Sequence, residues 1–183
     1  MDYLIRPVRA EEWLRMKELR LVALADPAAP VAFLETTEQA LERPDSFWQE
    51  RTAGVSHGTS ARQFVAEAAD GELVGTVVVL VEQVGAKDIF GIEIASPQAH
   101  LVGVFVRAEH RGAGLTERLF KDAMEWAWSL EEPAIERIRL YVHEDNPRAQ
   151  GFYRKIGFVP TGVSVPLNGD AGGVDFEMEV VRP

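Results

Sequence analysis

The sequence contains no cysteine. That removes a disulfide framework, a thiol nucleophile and every thiolate metal site. It also lacks any apolar run approaching the roughly 18 residues that a membrane-spanning helix needs. Histidine is scarce: only His57, His100, His110 and His143 occur, and no two have the close helical spacing of a zinc pair. No metal is expected. Basic residues are outnumbered, with 19 Lys and Arg against 29 Asp and Glu and a formal net charge of −10. Binding to a phosphate backbone requires a basic surface, so no nucleic-acid partner is expected. The acidic surplus serves solubility, and it is compatible with drawing in a cationic amine. Residues Met1–Pro7 lack the basic, apolar, small-residue order of a signal peptide. The expectation is a cytoplasmic protein without membrane contact.

What is present is enough for a core. The 183 residues are 46% hydrophobic and 26% charged, which suits one domain over 1–183. Tyr3–Pro7 reads as a strand. A helix is expected over Ala10–Ala25, with Trp13, Met16, Leu19 and Ala23 on one face and Asp26-Pro27 and Pro30 as stops. Phe33–Thr52 reads as a second helix interrupted near Pro44, its later half capped by Asp45 or Ser46. Gln63–Ala68 and Leu73–Val84 form a hairpin around Asp70-Gly71. Lys87–Gln98 reads as a loop and His100–Val106 as a strand. Gly114–Leu130 is a helix whose stripe is Leu115, Leu119, Ala123, Trp126 and Leu130. Ile135–Val142 is a strand, and Pro147–Ile156 a helix capped by Asn146 and closed by Gly157. Phe158–Val165 and Val174–Val181 are strands joined by a Gly-rich turn, Asn168–Gly173. This order describes an α+β protein with a mixed sheet.

Val102–Thr116 runs from a strand through a short loop into a helix, with Arg111-Gly112-Ala113-Gly114-Leu115-Thr116 at the junction. Glycines open backbone conformations closed to other residues and let a ligand approach. The first amides of a helix lack internal partners, and the dipole there is positive. Together they make an anion site, for which a diphosphate is a natural occupant. Gly-x-Gly alone also fits a tight turn with close packing. The segment is not a nucleotide P-loop, because Gly-Lys-Ser/Thr is missing, and it is a poor dinucleotide fingerprint, because the third glycine is missing.

The junction resembles the central motif of the GNAT acetyltransferases, a strand followed by Gln/Arg-x-x-Gly-x-Gly/Ala. Arg111, Gly114 and Thr116 take its defined positions, Gly112 matches a common variant, and Thr116 departs from the usual Gly or Ala. A second segment, Leu140–Phe158, resembles another GNAT signature through Asn146, Ala149, Phe152, Tyr153, Gly157 and Phe158. The resemblance covers about Leu101–Phe158. It implies a GNAT fold, a mixed sheet of about seven strands flanked by about four helices. It implies acetyl-CoA as co-substrate on Val104, Phe105, Val106, Arg111, Gly112, Ala113, Gly114, Leu115, Thr116, Asn146 and Tyr153. It further implies an N-acetyltransferase acting by direct transfer in a ternary complex, with Tyr153 as general acid. A phenol stays protonated at neutral pH and can donate to a departing thiolate. Tyr153 also reads as a core aromatic, and Asn146 as a helix cap.

An alkyl ammonium must lose its proton before it attacks, which costs roughly 4–5 kcal/mol at pH 7. Base candidates are Glu93, His100, His143 and Glu144, with His100 and Glu93 foremost; an imidazole titrates in a suitable range. Each also reads as an ordinary polar side chain. Phe33, Glu35 and Thr36 are substrate-binding candidates and equally suit a packed lid. The expected acceptor is a small or cationic primary amine. A protein amine and a non-catalytic acyl-CoA sensor stay open as alternatives, as does a homodimer.

Overall fold

Valine-rich, β-branched segments build the centre of the sheet, because such side chains pack well on a pleated surface. The computed structural model describes residues 2–167 and 172–182. Among them seven strands form one sheet in the order β1-β2-β3-β4-β5-β7-β6. The strands are β1 (Leu4–Pro7), β2 (Ala61–Glu67), β3 (Leu73–Glu82), β4 (Gln98–Val106), β5 (Arg137–His143), β6 (Val159–Pro166) and β7 (Val174–Val181). All neighbours run antiparallel except β4 and β5.

Five α-helices are described, one more than the expected four or so: α1 (Trp13–Leu24), α2 (Thr37–Glu42), α3 (Asp45–Ser56), α4 (Leu115–Ser129) and α5 (Pro147–Lys155). The additional one arises at Pro44. Arg43, the residue before it, is extended with φ −68° and ψ 129°, as a following proline requires, so Phe33–Thr52 breaks into α2 and α3. The expected cap at Asp45 or Ser46 is corrected. Pro44 occupies the N-cap position, and Asp45 is the first helical residue, where its charge complements the dipole. The first helix opens with a 3₁₀ turn at Ala10–Glu12 before α1 begins. The turn expected over Asn168–Gly173 lies outside the described residues except at Gly172 and Gly173.

Alternation in the strands sorts the two faces. Phe64, Ala66, Val77, Leu101, Ile138 and Leu140 join Leu119, Phe120 and Ala123 of α4 and Tyr153 of α5 in the main core. Val65, Leu73 and Phe105 point the other way, to Met16, Leu19 and Ala23 of α1. Trp48 of α3 and Ala40 of α2 close a third cluster with Leu24.

Two irregularities distinguish β4 from a regular strand. Thr76 faces Phe105 and Val78 faces Val102, so Gly103 and Val104 oppose Val77 alone. This bulge, with Gly103 at φ 63°, reverses the alternation. Leu101 and Val106 therefore share one face while Phe105 turns to the other. Second, β4 and β5 pair only at Gln98–His100 with Arg137–Arg139. Beyond His100 the strands diverge, leaving a wedge beside Val102–Val106.

Candidate active site

The wedge belongs to an open cleft of about 1270 Å³. Val104, Phe105 and Val106 line one wall, and Tyr141 and His143 of β5 lie across from them. At one end stands the N-terminus of α4. Gly112 and Gly114 have φ of 82° and 73°, and a Cβ built on either meets nothing within 4 Å. Among the described residues, no amide from Gly112 to Glu117 donates to a backbone or side-chain acceptor; the first bond of the helix runs from Arg118 N–H to Gly114 O, 3.1 Å. A row of unpartnered N–H groups at a helix start is an anion cradle, and it fits a diphosphate. Arg111 is tied down beside it. Its Nε donates to Val106 O at 2.8 Å, and its Nη2 meets Asp26 Oδ2 at 2.5 Å. Burial alone would raise the Asp26 pKa, but the Ala28 amide and the Arg111 guanidinium outweigh it and hold the carboxyl below its usual value.

α5 supplies the opposite wall. Asn146 caps it, accepting from Ala149 N–H at 3.2 Å, and Pro147 opens it. Its apolar stripe packs Tyr153 against Phe120, Phe152 and Phe158, with ring centres 5.6–6.2 Å away. Tyr153 is buried yet lines the cleft, and its hydroxyl has no hydrogen-bond partner among the described residues. Burial pushes its pKa up to about 12, so the phenol remains a proton donor far above neutral pH.

The base candidates separate by position. Glu93 is exposed in the β3–β4 connection, opposite Lys87, and does not border the cleft. Its place is a correction: the connection folds back on itself through Ile94 N–H to Ala86 O at 2.9 Å, which carries Glu93 outward. His143 is spent on the backbone, with Nδ1 accepting from Asp145 N–H and Nε2 donating to Gly172 O, both at 3.1 Å. Glu144 accepts from Val174 N–H at 2.9 Å. His100 borders the cleft. Its Nδ1 lies 3.2 Å from Oε1 of Glu82, and a carboxylate there fixes Nδ1–H as the donor. The lone pair of a neutral His100 then sits on Nε2; among the described residues the ring's hydrogen bond is the one through Nδ1.

Glu82 joins a buried network on this face of the sheet. Arg139 donates to Glu82 at 3.0 Å, to Asp88 at 2.9 Å and to Glu177 at 2.8 Å, and Tyr141 contributes its hydroxyl at 3.0 Å. Burial acts against the charge of Arg139, but these acids prevail and raise its pKa. Burial likewise favours a neutral Glu82, yet the hydrogen bonds from His100 and Gln98, with the guanidinium of Arg139, keep its pKa lowered. Sequence reasoning did not find Glu82, Asp26, Gly103 or Arg139. Only Gly103 left a local signal, a glycine inside a valine-rich strand.

Another part of the cleft is walled by α1, α2 and α3, and Asp26, just after α1, reaches Arg111 beside the start of α4. Phe33, Glu35 and Thr36 all border it. Glu35 Oε2 accepts from Arg20 Nε at 3.0 Å, and the Arg20 guanidinium lies 4.4 Å from the Phe33 ring centre. Thr36 is also the cap of α2, accepting from Gln39 N–H at 3.2 Å. Of the residues expected at the cofactor, Ala113 is exposed and outside the cleft lining, whereas Leu115 and Thr116 border it.

A sheet that parts beside a bulge, with a helix N-terminus bordering the gap, defines a cleft suited to an elongated ligand that carries an anionic group. The acetyltransferase (GNAT) family profile matches residues 11–158, and the chain belongs to that family. It is 36% identical over 73 residues to the proposed ribosomal protein bS18–alanine N-acetyltransferase of Bacillus subtilis, across 40% of this chain and 46% of that protein. The chain spans about half the length of the curated relatives it matches. A GNAT acetyltransferase from Streptococcus pneumoniae superposes with TM-score 0.75 at 16% identity, covering 99% of this chain and 100% of that one. Spermidine N-acetyltransferase from Vibrio cholerae, in complex with CoA and spermine, gives 0.68 at 20% identity, covering 98% and 95%. Likeness at this identity establishes the shared fold. No described helix is long and apolar enough to cross a membrane.

Proposed function

We propose that the protein is an acetyl-CoA-dependent N-acetyltransferase that acts on a small primary amine by direct transfer. The observation that carries this reading is the unpartnered amide row Gly112–Glu117 at the end of the parted β4–β5 wedge, with Tyr153 and His100 bordering the same cleft. Family membership supports the reading, as does a fold neighbour that holds CoA and spermine. The amides of Gly112–Thr116 would hold the diphosphate of acetyl-CoA, and the free edge of Val104–Val106 would receive the pantetheine arm. Bound there, acetyl-CoA supplies an activated acyl carbon.

The residues of the chain then manage two protons. His100 Nε2 takes the proton released by the ammonium, directly or through a water, while Glu82 stabilises the imidazolium that results. The amine nitrogen forms the new bond to the acetyl carbon as the carbon–sulfur bond breaks. Tyr153 donates its hydroxyl proton to the departing thiolate, and the second proton that the nitrogen sheds on becoming an amide restores the phenol, directly or through water. A phenol near 12 is a weak acid against a free thiol near 8.5, but a thiolate leaving into the same buried surroundings is also pushed up, which narrows the gap. We also place the protein in the cytoplasm.

Thiol release from acetyl-CoA, measured against a panel of amines, tests the reading. Amine-dependent release is expected. CoA binding without release for any amine or peptide would overturn it.

A further inference from the structure

The chain carries a net charge of −10, yet the part of the cleft walled by α1–α3 is cationic. Arg20 of α1, Arg43 beside Pro44 and Arg51 of α3 border it together with Glu35. Glu35 lies 3.0 Å from Arg20 and 3.9 Å from Arg43. Arg51 has no ion pair among the described residues; its guanidinium stands 5.9 Å from the Phe47 ring centre, beside Arg43 at 4.6 Å. Glu38 also borders the cleft, exposed and without an ion pair among the described residues, and the local charge remains positive when it is included. Crowding by the protein lowers the Arg51 pKa first, then the charge of Arg20; Glu35 opposes this and Arg43 adds to it. Arg51 is nonetheless exposed, so water still reaches it at the mouth and the crowding is partial.

The inner end has the opposite sign. Glu82, Asp88 and Glu177 surround the buried guanidinium of Arg139, Arg137 adds a second cation against Glu177 and Glu179, and acids remain in excess, with Tyr141 and His100 bordering the cleft. A ligand lying along this cleft meets carboxylates behind the base and guanidiniums at the mouth. A polyamine would place its second ammonium among arginines, where like charge is penalised. An amine that also bears an anion matches both ends, and guanidinium is the natural partner of a carboxylate.

We propose that the acceptor carries a carboxylate together with its amine, and that Arg51, assisted by Arg43, receives the carboxylate at the mouth. The proposal rests on the acetyltransferase reading and names its substrate class.

Matched pairs test it: β-alanine against β-alaninamide, and L-leucine against L-leucinamide, with spermidine as a third arm. Thiol release is followed with the full chain and acetyl-CoA. A charge-assisted contact predicts that kcat/KM for the acids exceeds that for the amides by about 10- to 100-fold. Arg51→Gln should bring this ratio toward unity, and Arg51→Lys should restore part of it, with the KM for acetyl-CoA unchanged. Amides or spermidine preferred over the acids, or an acid preference intact in both Arg51→Gln and Arg43→Gln, would overturn the proposal and leave acetyl transfer standing. Absence of release for every amine would instead overturn acetyl transfer, and this proposal with it.

Discussion

His100 Nδ1 and Glu82 Oε1 are 3.2 Å apart, diagonally across the β3–β4 ladder, where Leu80 faces His100 and Glu82 faces Gln98. The pair lies where β4 begins to part from β5; the imidazole is anchored from behind by Glu82 and, though buried, borders the cleft. If this pair serves as the base, His100→Gln and Glu82→Gln each lower turnover by about 100-fold, whereas Glu93→Gln leaves it unchanged. Steady-state thiol release decides between them, with circular dichroism as the check on folding. Equal turnover in all three would remove His100 from the reaction.

Tyr153→Phe keeps the ring among Phe120, Phe152 and Phe158 and removes only the hydroxyl. Turnover should fall by about 100-fold with little change in acetyl-CoA affinity. With its pKa near 12, Tyr153 stays protonated through neutral and moderately alkaline pH. A loss of rate on the alkaline side between pH 7 and 10 that persists in Tyr153→Phe therefore belongs to another group.

Gly114 is the N-cap of α4 at φ 73°, and its surroundings are open. A side chain there is strained by the backbone, and a carboxylate adds charge repulsion against phosphate. Gly114→Glu should abolish acetyl-CoA binding in calorimetry, while Thr116→Ala retains it. Undiminished binding by Gly114→Glu would move the diphosphate elsewhere.

Glu12 is buried against Arg6 at 2.7 Å, accepts from Arg9 N–H at 2.9 Å, and lies 2.6 Å from Arg15. Burial acts to raise its pKa, but these partners hold it down near 2, against an ordinary value of 4.5. A depressed carboxylate contributes stability that is fully present above its unfolded value and is lost as pH falls through the folded one. The loss should therefore run from about pH 4.5 to about 2 and amount to at most about 3 kcal/mol. Chemical denaturation at stepped pH should show a shallower decline for Glu12→Gln in that window.

Arg139 is 2% exposed and bonded to three carboxylates. Arg139→Met leaves those acids buried without their cation and should destabilise the fold by about 3–5 kcal/mol, read from urea unfolding at neutral pH.

Much of the fold was legible because its cues are local. Asn146-Pro147 marks the start of α5 through a side chain that reaches three residues on. Residues Val174–Val181 form a strand over the expected span. The Pro44 interruption was visible, but the cap was not, since Pro44 and Asp45 divide roles that one residue often fills. Thr36 illustrates the overlap of roles: a cleft-lining position that is also the cap of a short helix.

By itself the sequence determined the order of elements, the glycine-bearing start of α4 and the Asn146–Phe158 segment, because each depends on backbone preferences over a few residues. The tertiary structure decided which distant side chains meet. It placed Glu82 against His100, Asp26 against Arg111 and three arginines around Glu35, and it carried Glu93 away. Those outcomes depend on strand order, on the bulge at Gly103 that turns Phe105 to the other face, and on the divergence of β4 from β5. Charge shows the difference most directly: composition reports a surplus of acid, but only the packing of α1, α2 and α3 gathers positive charge at the mouth of the cleft.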